Sequence, residues 1–461
     1  MINPKEEQGK IRPQETEEHV QFQPEKSASE IRNERLAQIN QELKGFDRQT
    51  SSSINMQQIQ EQREREFQSK VAELEKDLGT KLGQEGVNMI HENIVGSVVE
   101  QTQKDNEKFN ELQRGKNQLE KINAAESLIT RSEGRIDHKT APYKDFDTRK
   151  YDRFLIQKGE LSGVRVVFKV GEIKTDKHTV KTESRNLQAI EQAKTKKDQV
   201  IDVHFVKQVG ETFEDDKMIG LATEYLEDNP NIKKDLSSEQ KTATIERVID
   251  NLQRLEVSDE AKESGLKIHD GDTISRDAIH LAQEIEKSGI IDSETIKKLQ
   301  NLFQENSESL AGEELVFCHG DCHGDNIFLK KETDGRIQES LLDFEGLRIS
   351  NKYHDWCEIL NKSAFLKHIA TEKPDIYNKI QKNVENMWLD PSVQFDEDEI
   401  TNNLTGDNNN KKVNFSLTKI YDMLSRMIAG KNSDSPLEQE RIKLFGDLIK
   451  KEVAKIESIK K

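Results

Sequence analysis

Hydrophobic positions change their spacing twice along this chain, and each spacing predicts a different kind of structure. Residues 1–55 are rich in Gln, Glu, Ser and Asn. They hold too few apolar residues to offset the entropy of ordering, so we expect disorder or loose helix there. From residue 56 to 126, apolar residues recur every three or four positions, which is typical of helices with one apolar face. The clearest run is Phe67, Val71, Leu74, Leu78 and Leu82. This segment is predicted to be a helical extension that packs on its own domain. The alternatives are a helical hairpin, a lid on the rest of the chain, or a coil at 57–126 that binds a helical partner or self-associates.

Between residues 127 and 228, short runs of β-branched and aromatic residues appear, and these are typical of strands. The stretch Gly159–Gly163 separates two such runs and predicts the turn of a hairpin. The predicted elements are strands at 153–157 and 164–170, a helix at 181–194, and strands at 203–209 and 218–226. This order predicts a small antiparallel sheet with one helix.

After Pro230 the helical spacing returns and continues to the end of the chain. Ser237 and Gln240 have the spacing of a capping box, and Ser435-Pro436 is a good helix start. The Asn-rich stretch 402–414 is predicted to be a polar loop. Further helices are predicted at 275–287, 293–306, 353–369, 374–388, 415–429 and 436–459. The fold class is therefore predicted to be α+β, with a small sheet lobe at 127–228 and a larger helical lobe at 229–461.

Composition limits the classes of partner and compartment. The net charge of −17 argues against a nucleic-acid partner, because nucleic-acid-binding domains are basic. The three cysteines, Cys318, Cys322 and Cys357, are too few and too clustered for a disulfide framework, which favours a reducing compartment. The first residues lack the apolar core of a signal peptide, and no run of 18 apolar residues occurs. We therefore expect no membrane partner and a cytoplasmic location.

One stretch of the helical lobe carries the candidate chemistry. It runs His319-Gly320-Asp321-Cys322-His323-Gly324-Asp325-Asn326 and is followed by Leu342-Asp343-Phe344-Glu345. Asp321 is placed to accept a hydrogen bond from an acceptor hydroxyl and to take its proton. Asn326 and Asp343 offer side-chain oxygens, the ligands that Mg²⁺ prefers. This layout predicts phosphoryl transfer, with Asp321 and Asn326 as catalytic residues and Asn326 and Asp343 as metal ligands.

Two residues of the sheet lobe would complete such a site. Lys169 ends a Val-rich strand, from which its ammonium could reach nucleotide phosphates, and Glu183 follows near the start of the predicted helix. No Gly-rich phosphate loop occurs, and Ser132-Glu133-Gly134-Arg135 is only a poor candidate for one. We name residues 319–326 the catalytic loop. His319 is predicted to hold this loop by hydrogen bonds and not to transfer a proton, and Asp355 is predicted to anchor the loop and not to bind a metal.

A zinc site is the competing prediction for the same stretch. The side chains of Cys318, His319, Cys322 and His323 are suitable ligands. Their spacing is too tight for a common structural site, and no second distant Cys/His pair accompanies them. Small buried thiols beside a catalytic loop are the simpler interpretation of the two cysteines.

The motif residues resemble the aminoglycoside phosphotransferase and choline kinase family, which has a protein-kinase-like two-lobed fold. The family pattern H-G-D-x-H-x-x-N is matched at each fixed position by residues 319–326, and I-D-F-E is matched by residues 342–345 except for the first. The resemblance implies Asp321 as the base, Asn326 and Asp343 as Mg²⁺ ligands, and Lys169 as a phosphate contact paired with Glu183. It also implies that adenine meets the backbone near Glu224, Tyr225 and Leu226.

Three functional hypotheses follow from these residues. The first is an ATP- and Mg²⁺-dependent phosphotransferase acting on a hydroxyl of a small molecule. The second is a catalytically silent kinase-like scaffold that acts through its N-terminal helices, and the third is a kinase with a protein or nucleoside acceptor. The acidic run Phe395–Glu399 would suit a cationic acceptor if it borders the cleft.

Overall fold

The structure is a computed structural model that describes residues 28–51, 84–136, 154–196 and 199–461, with single positions between 65 and 76. The predictions for residues 1–27 and for most of 52–83 lie outside the described residues. The chain divides into two compact units, Met1–Asn123 and Ala124–Lys461. No helix among the described residues is long and apolar enough to cross a membrane.

The first unit contains helix α1 (Ala28–Ser51) and most of helix α2 (Gln84–Arg131). The two helices pack through an apolar cluster, and Arg32 Nε donates to Asn123 Oδ1 at 3.1 Å. The buried members of the cluster are Ile39, Leu43, Leu112 and Leu119. Side chains spaced four or seven residues apart on each helix thus form this contact. Ile39 and Leu43 lie in the segment 1–55, for which the composition predicts disorder or loose helix, and α1 is the described helix within it.

The second unit contains a five-stranded antiparallel sheet. Its strands are β1 (Gly134–Ile136), β2 (Leu155–Leu161), β3 (Val164–Glu172), β5 (Phe213–Glu214) and β6 (Met218–Glu224). They are arranged in the order β1-β2-β3-β6-β5. Strands β2 and β3 form the predicted hairpin, with Ser162 and Gly163 at positive φ in a two-residue turn. Helix α3 (Ile173–Gln192) follows β3 directly and packs on the sheet.

Alternation along β3 separates core residues from site residues. Val166, Phe168 and Val170 are fully buried, whereas the intervening Val167 and Lys169 face the opposite side and line a cavity. Since successive side chains of a strand point to opposite faces, the buried apolar residues fix the direction in which Lys169 points.

The helical part of the second unit surrounds two further three-stranded sheets. Its helices are α4 (Pro230–Asp235), α5 (Ser238–Gln253), α6 (Asp259–Glu263), α7 (Gly271–Glu286), α8 (Ser293–Glu305), α9 (Ser307–Ala311), α10 (His354–Glu372), α11 (Pro374–Asn386), α12 (Glu397–Thr405), α13 (Asn409–Gly430) and α14 (Pro436–Ile459). Ser237 and Gln240 form the predicted capping box at the start of α5. One continuous apolar core joins the large sheet to these helices. The predicted α+β class, with a sheet lobe and a larger helical lobe, is confirmed.

The two small sheets support the segments that carry the motif. One has the order β4-β10-β9, and the other has the order β7-β11-β8. Their strands are β4 (His204–Phe205), β7 (Lys267–His269), β8 (Leu315–Cys318), β9 (Ile327–Lys331), β10 (Ile337–Leu341) and β11 (Arg348–Asn351). The catalytic loop follows β8, and the 342–345 segment connects β10 to β11.

Two predicted elements are wrong. Residues 203–209 do not form one strand of the large sheet, because His204–Phe205 pairs with β10 of a small sheet and an isolated bridge, Gln208 with Thr223, joins the rest to β6. The stretch 402–414 is not a polar loop, because α12 ends and α13 begins within it. Asn408 accepts a hydrogen bond from the Lys411 amide as the N-cap of α13, so an asparagine that indicated a loop serves as a helix cap.

Candidate active site

The catalytic loop is held by the helix that follows it. Both carboxylate oxygens of Asp355, at the start of α10, accept backbone hydrogen bonds, from His319 at 2.9 Å and from Gly320 at 2.8 Å. The ring Nε2 of His319 lies 2.8 Å from the carbonyl oxygen of Leu342. The predicted anchoring roles of Asp355 and His319 are therefore confirmed, and the loop is fixed to the segment that carries Asp343.

Gly320 is required for this loop by both its backbone angle and its surroundings. Its φ of +76° lies in the left-handed region. A Cβ at this position would lie 2.5 Å from the Arg348 guanidinium and 2.5 Å from the Gly346 carbonyl oxygen. Only glycine meets both conditions, which brings the loop directly against β11 and its preceding turn.

Asp321 projects from this loop with its carboxylate 44% exposed. Its Oδ1 lies 2.5 Å from Lys362 Nζ, and its Oδ2 lies 3.3 Å from His323 Nε2. Burial alone would raise the pKa of Asp321, but the hydrogen bond with His323 and the charge of Lys362 outweigh it and hold the pKa well below its usual range. Asp321 is therefore an ionised acceptor that remains open to a hydroxyl group.

Asn326 joins the loop to the next part of the site. Its side-chain Nδ2 donates to the Asp321 carbonyl oxygen at 3.0 Å, and its own carbonyl oxygen accepts from the Leu342 amide at 2.9 Å. Because the amide nitrogen is used in this way, Oδ1 is the atom left for a metal ion, and Asn326 lines the same cavity as Asp343.

Lys169, on strand β3, lies at the centre of a cluster of carboxylates. Its Nζ lies 2.7 Å from Glu183 Oε2, 3.1 Å from Asp343 Oδ1 and 3.6 Å from Glu345 Oε2. Burial acts to lower the pKa of Lys169, but these carboxylates raise it further than burial lowers it, so the ammonium stays charged. Burial raises the pKa of Glu183 to about 7, although Lys169 opposes the rise. The three elements β3, α3 and the 342–345 segment thus meet at one ammonium group.

Oxygen donors that suit a hard divalent cation lie beside this ammonium. One oxygen each from Glu183, Asp343 and Glu345 lie within 4.8 Å of one another. Lys169 contacts all three carboxylates, however, so a metal ion would take Asp343 and the Oδ1 of Asn326 next to the ammonium. Asp343 also has a φ of 59°, a left-handed conformation in which Asp and Asn are enriched among non-glycine residues. Carboxylate oxygens are the ligands that Mg²⁺ prefers, so the residues present fit that ion.

Asn186 is a part of this site that the sequence analysis missed. It lies one turn after Glu183 on α3, and its Nδ2 donates to the Phe344 carbonyl oxygen at 2.8 Å. The buried amide thereby holds the backbone directly after Asp343. A polar residue three positions from Glu183, and so on the same helix face, was the only signal for it in the sequence.

Replacing Asn186 with alanine is expected to destabilise the protein by about 1–3 kcal/mol, because the buried carbonyl of Phe344 loses its donor. Urea unfolding measures this free energy. Gln188→Ala, at an exposed position of the same helix, is the matched control and should change stability by no more than about 0.5 kcal/mol. Equal effects of the two substitutions would contradict the anchoring role.

A cavity of about 800 Å³ lies between the sheet and the motif segments. It is lined by Phe154, Ile156, Lys158, Val167, Lys169, Glu183, Val206, Leu221, Thr223, Glu224, Tyr225, Leu226, Asp228, Asn326, Phe328, Leu342, Asp343 and Glu345. Apolar side chains together with the charged cluster around Lys169 suit a flat base attached to phosphates. The β2–β3 hairpin supplies Ile156 and Lys158, so this hairpin covers the cavity where the sequence offered no Gly-rich loop.

Two backbone amides of the predicted adenine-binding segment already donate hydrogen bonds within the protein. The amide of Glu224 donates to the Lys207 carbonyl and that of Tyr225 to the Arg165 carbonyl. The Glu224 carboxylate lies 2.8 Å from His204 Nε2 and accepts from the Lys207 amide. The Glu224 carboxylate is thus held by other groups, although both Glu224 and Leu226 line the cavity. Nucleotide binding by either residue stays a prediction.

Three other candidate features do not join this site. Cys318, Cys322, His319 and His323 do not converge on a common point. Among the His, Cys, Asp and Glu side chains of the described residues, the one group of three close enough to share a metal ion is Glu183, Asp343 and Glu345. Residues 132–135 form a turn and the edge strand β1, away from the cavity. The acidic run 395–399 lines a separate hollow of about 930 Å³, which includes neither Asp321 nor Asn326.

Part of the chain matches a family of kinase-like proteins. Residues 236–379, less than half of the chain, match the model of the ecdysteroid kinase-like family. This match includes the catalytic loop and the 342–345 segment, and it confirms the resemblance to kinase-like small-molecule phosphotransferases. No curated protein matches the chain in sequence.

Solved structures with a similar fold are distant. A macrolide 2′-phosphotransferase from Brachybacterium faecium is 10% identical, with 71% of this chain and 97% of that chain covered and a TM-score of 0.42. A GDP complex of an aminoglycoside 2′-phosphotransferase is 14% identical, with 73% and 98% covered and a TM-score of 0.41. An aminoglycoside phosphotransferase in complex with ADP and hygromycin B is 11% identical, with 64% and 90% covered and a TM-score of 0.36. Likenesses at these scores carry no conclusion about the chemistry of this chain.

Proposed function

We propose that this kinase-like chain transfers the γ-phosphoryl group of ATP, with Mg²⁺, to a hydroxyl group of a small molecule. The observation that carries the proposal is the meeting of Lys169 with Glu183 and Asp343. These three residues come from three separate elements, and all three line one cavity. Asn326 connects this point to the loop that presents Asp321.

Each residue has a role that its position supports. Lys169, held by Glu183, would bind the α- and β-phosphates, and Ile156, Leu221 and Phe328, which line the same cavity, would enclose the base. Asn326 and Asp343 would hold Mg²⁺, which neutralises phosphate charge when it is bound. Asp321 would accept the hydrogen bond of the acceptor hydroxyl and aim its oxygen at the γ-phosphorus. A pKa below its usual range keeps Asp321 ionised for this role.

The proton and electron balance of the reaction is simple. The acceptor oxygen forms a bond to the γ-phosphorus as the bond from that phosphorus to the β,γ-bridging oxygen breaks, and ADP leaves with the electron pair. The hydroxyl proton passes late to Asp321, which later releases it to water. A weakly basic carboxylate is sufficient, because the transition state of phosphoryl transfer is loose and the proton is lost late.

Thermal unfolding separates this proposal from a silent scaffold. At a Mg·ATP concentration 100 times its dissociation constant, the free energy of unfolding should rise by about 2.7 kcal/mol. The rise should become smaller when EDTA replaces Mg²⁺ at the same ATP concentration. An unchanged melting temperature at millimolar Mg·ATP would favour the scaffold, whose helices would then carry the function.

The acceptor is to be identified by a screen with ADP release as the signal. The names of the matched family and of the similar structures suggest ecdysteroids, macrolides and hygromycin B, and choline, ethanolamine, homoserine and sugars extend the chemical range. The carboxylates of 395–399 give little support for a cationic acceptor, since Asp396 caps α12 and Glu397 pairs with Lys419. Neutral polyols therefore enter the screen on equal terms with amines.

A further inference from the structure

Lys362 is an unassigned cation at the reacting centre. It lies two turns into α10, and its Nζ is 2.5 Å from Asp321 Oδ1 and 3.0 Å from Glu358 Oε1. Its side chain is 17% exposed. A buried lysine usually needs one carboxylate, and Glu358, four residues earlier on the same helix, already supplies it. Glu358 is therefore sufficient to compensate the buried charge of Lys362, and the contact with the more exposed Asp321 is not needed for that purpose.

The helix places this ammonium with some rigidity. Glu358 also pairs with Arg426 of α13 at 2.6 Å, and Arg426 pairs with Asp422 at 2.9 Å. Asp355, Glu358 and Lys362 lie on one face of α10, so the same helix both holds the catalytic loop and presents the cation to it. Charges alternate along this network, and the carboxylates raise the pKa of Lys362 despite its burial.

Lys362 has bonding capacity left. An ammonium has three N–H donors, and the two described partners, Asp321 and Glu358, use two of them. No acceptor for the third donor occurs in the part of the chain that the structure describes. The γ-phosphoryl group must lie next to the acceptor hydroxyl, which is itself bonded to Asp321, because the reacting atoms are about 3–3.5 Å apart before transfer. Its oxygens therefore come within reach of a cation that touches the same carboxylate.

We propose that Lys362 is a catalytic residue that donates a hydrogen bond to the transferring phosphoryl group, stabilising the charge on its oxygens while orienting Asp321. This inference rests on the proposed function and deepens it. Lys362 transfers no proton in this account; the hydroxyl proton still goes to Asp321 and the electron pair of the broken bond to ADP. A positive charge supplied from outside the nucleotide-binding residues would act in the transition state more than in nucleotide binding.

The test measures binding of ADP, Mg²⁺ and aluminium fluoride, a planar mimic of the transferring group that needs no acceptor molecule. In the wild type, fluoroaluminate should tighten Mg·ADP binding. Lys362→Met should reduce this tightening at least tenfold and leave the affinity for Mg·ADP alone within about twofold of the wild type. Lys362→Arg should restore part of the tightening, because it keeps the charge and a donor.

Lys367→Met is the matched control, since Lys367 is an exposed lysine on the same helix and should behave as the wild type. Equal tightening in Lys362→Met and the wild type would overturn the inference and leave the proposed function intact. The same holds if the wild type binds Mg·ADP but fluoroaluminate does not tighten that binding. A wild type that binds no Mg·ADP would overturn the proposed function itself. Mg·ADP binding by each variant also shows that it is folded, so a loss of tightening cannot arise from unfolding.

Discussion

Asp321→Ala is expected to lower phosphoryl transfer by about 10²–10⁴-fold, the usual contribution of a positioned general base. Nucleotide affinity should be retained, because Asp321 faces the acceptor side and is absent from the cavity lining. Its carboxylate makes its contacts with Lys362 and His323, and neither residue lines the cavity. The rate is to be measured as ADP release with an acceptor from the screen, and the affinity by calorimetric titration with Mg·ATP.

Asp334→Ala provides the control for Asp321→Ala. Asp334 lies in the exposed turn between β9 and β10 and pairs only with the neighbouring Arg336 among its described contacts. Its removal should change neither the rate nor the affinity. If Asp321→Ala kept the wild-type rate, Asp321 would not be the base, and the mechanism proposed for this site would be wrong.

Asp343→Asn is expected to have the second large effect, on Mg·ATP binding and on turnover together. Asparagine tolerates the left-handed backbone at this position, so the substitution removes the charge with little change in local conformation. A metal contact stabilises the transition state by several kcal/mol, so turnover should fall at least about 100-fold. The change should weaken binding of Mg·ATP much more than binding of ATP without metal.

The two substitutions are therefore expected to have different effects on binding and on transfer. Asp321→Ala keeps Mg·ATP binding and loses transfer, whereas Asp343→Asn loses both. Identical binding losses in the two variants would mean that the catalytic loop and the 342–345 segment do not have the distinct roles assigned to them.

Local signals account for the parts of the fold that the sequence predicts well. The β2–β3 hairpin has alternating residues on both sides of a short turn, and the α5 capping box is made by residues three positions apart. The motif residues were found because phosphoryl transfer restricts which side chains can occupy them. Lys169 and Asp343 are 174 positions apart, so no local signal could predict their contact. It is expected instead because both residues are assigned to one phosphate and metal site.

The failures concern segments whose structure depends on distant partners. Residues 203–209 have strand-like composition, but β10 of a small sheet provides the partner for His204–Phe205. In 402–414, asparagines that indicate loops also cap helices, and the buried face of α13 continues the helix beyond Asn408. Composition cannot distinguish these outcomes, because the contacts that determine them are long-range.

The missed site residues have the same explanation. Asn186 and Lys362 are single polar residues on helices and match no motif, and they become part of the site only when their helices pack against it. Their helix faces offered a weak signal, since Asn186 follows Glu183 by three positions and Lys362 follows Asp355 by seven. Helical periodicity can therefore predict which neighbours of a motif residue point toward the same site.

Calorimetric titration of ATP into the wild type and Asp343→Asn, with Mg²⁺ and with EDTA, tests most directly whether the cavity lined by Lys169 and Asp343 binds Mg·ATP. We expect saturable binding to the wild type that Mg²⁺ strengthens, and loss of that strengthening in Asp343→Asn. Binding that is equal with Mg²⁺ and EDTA, or absent from the wild type at millimolar ATP, would contradict this expectation.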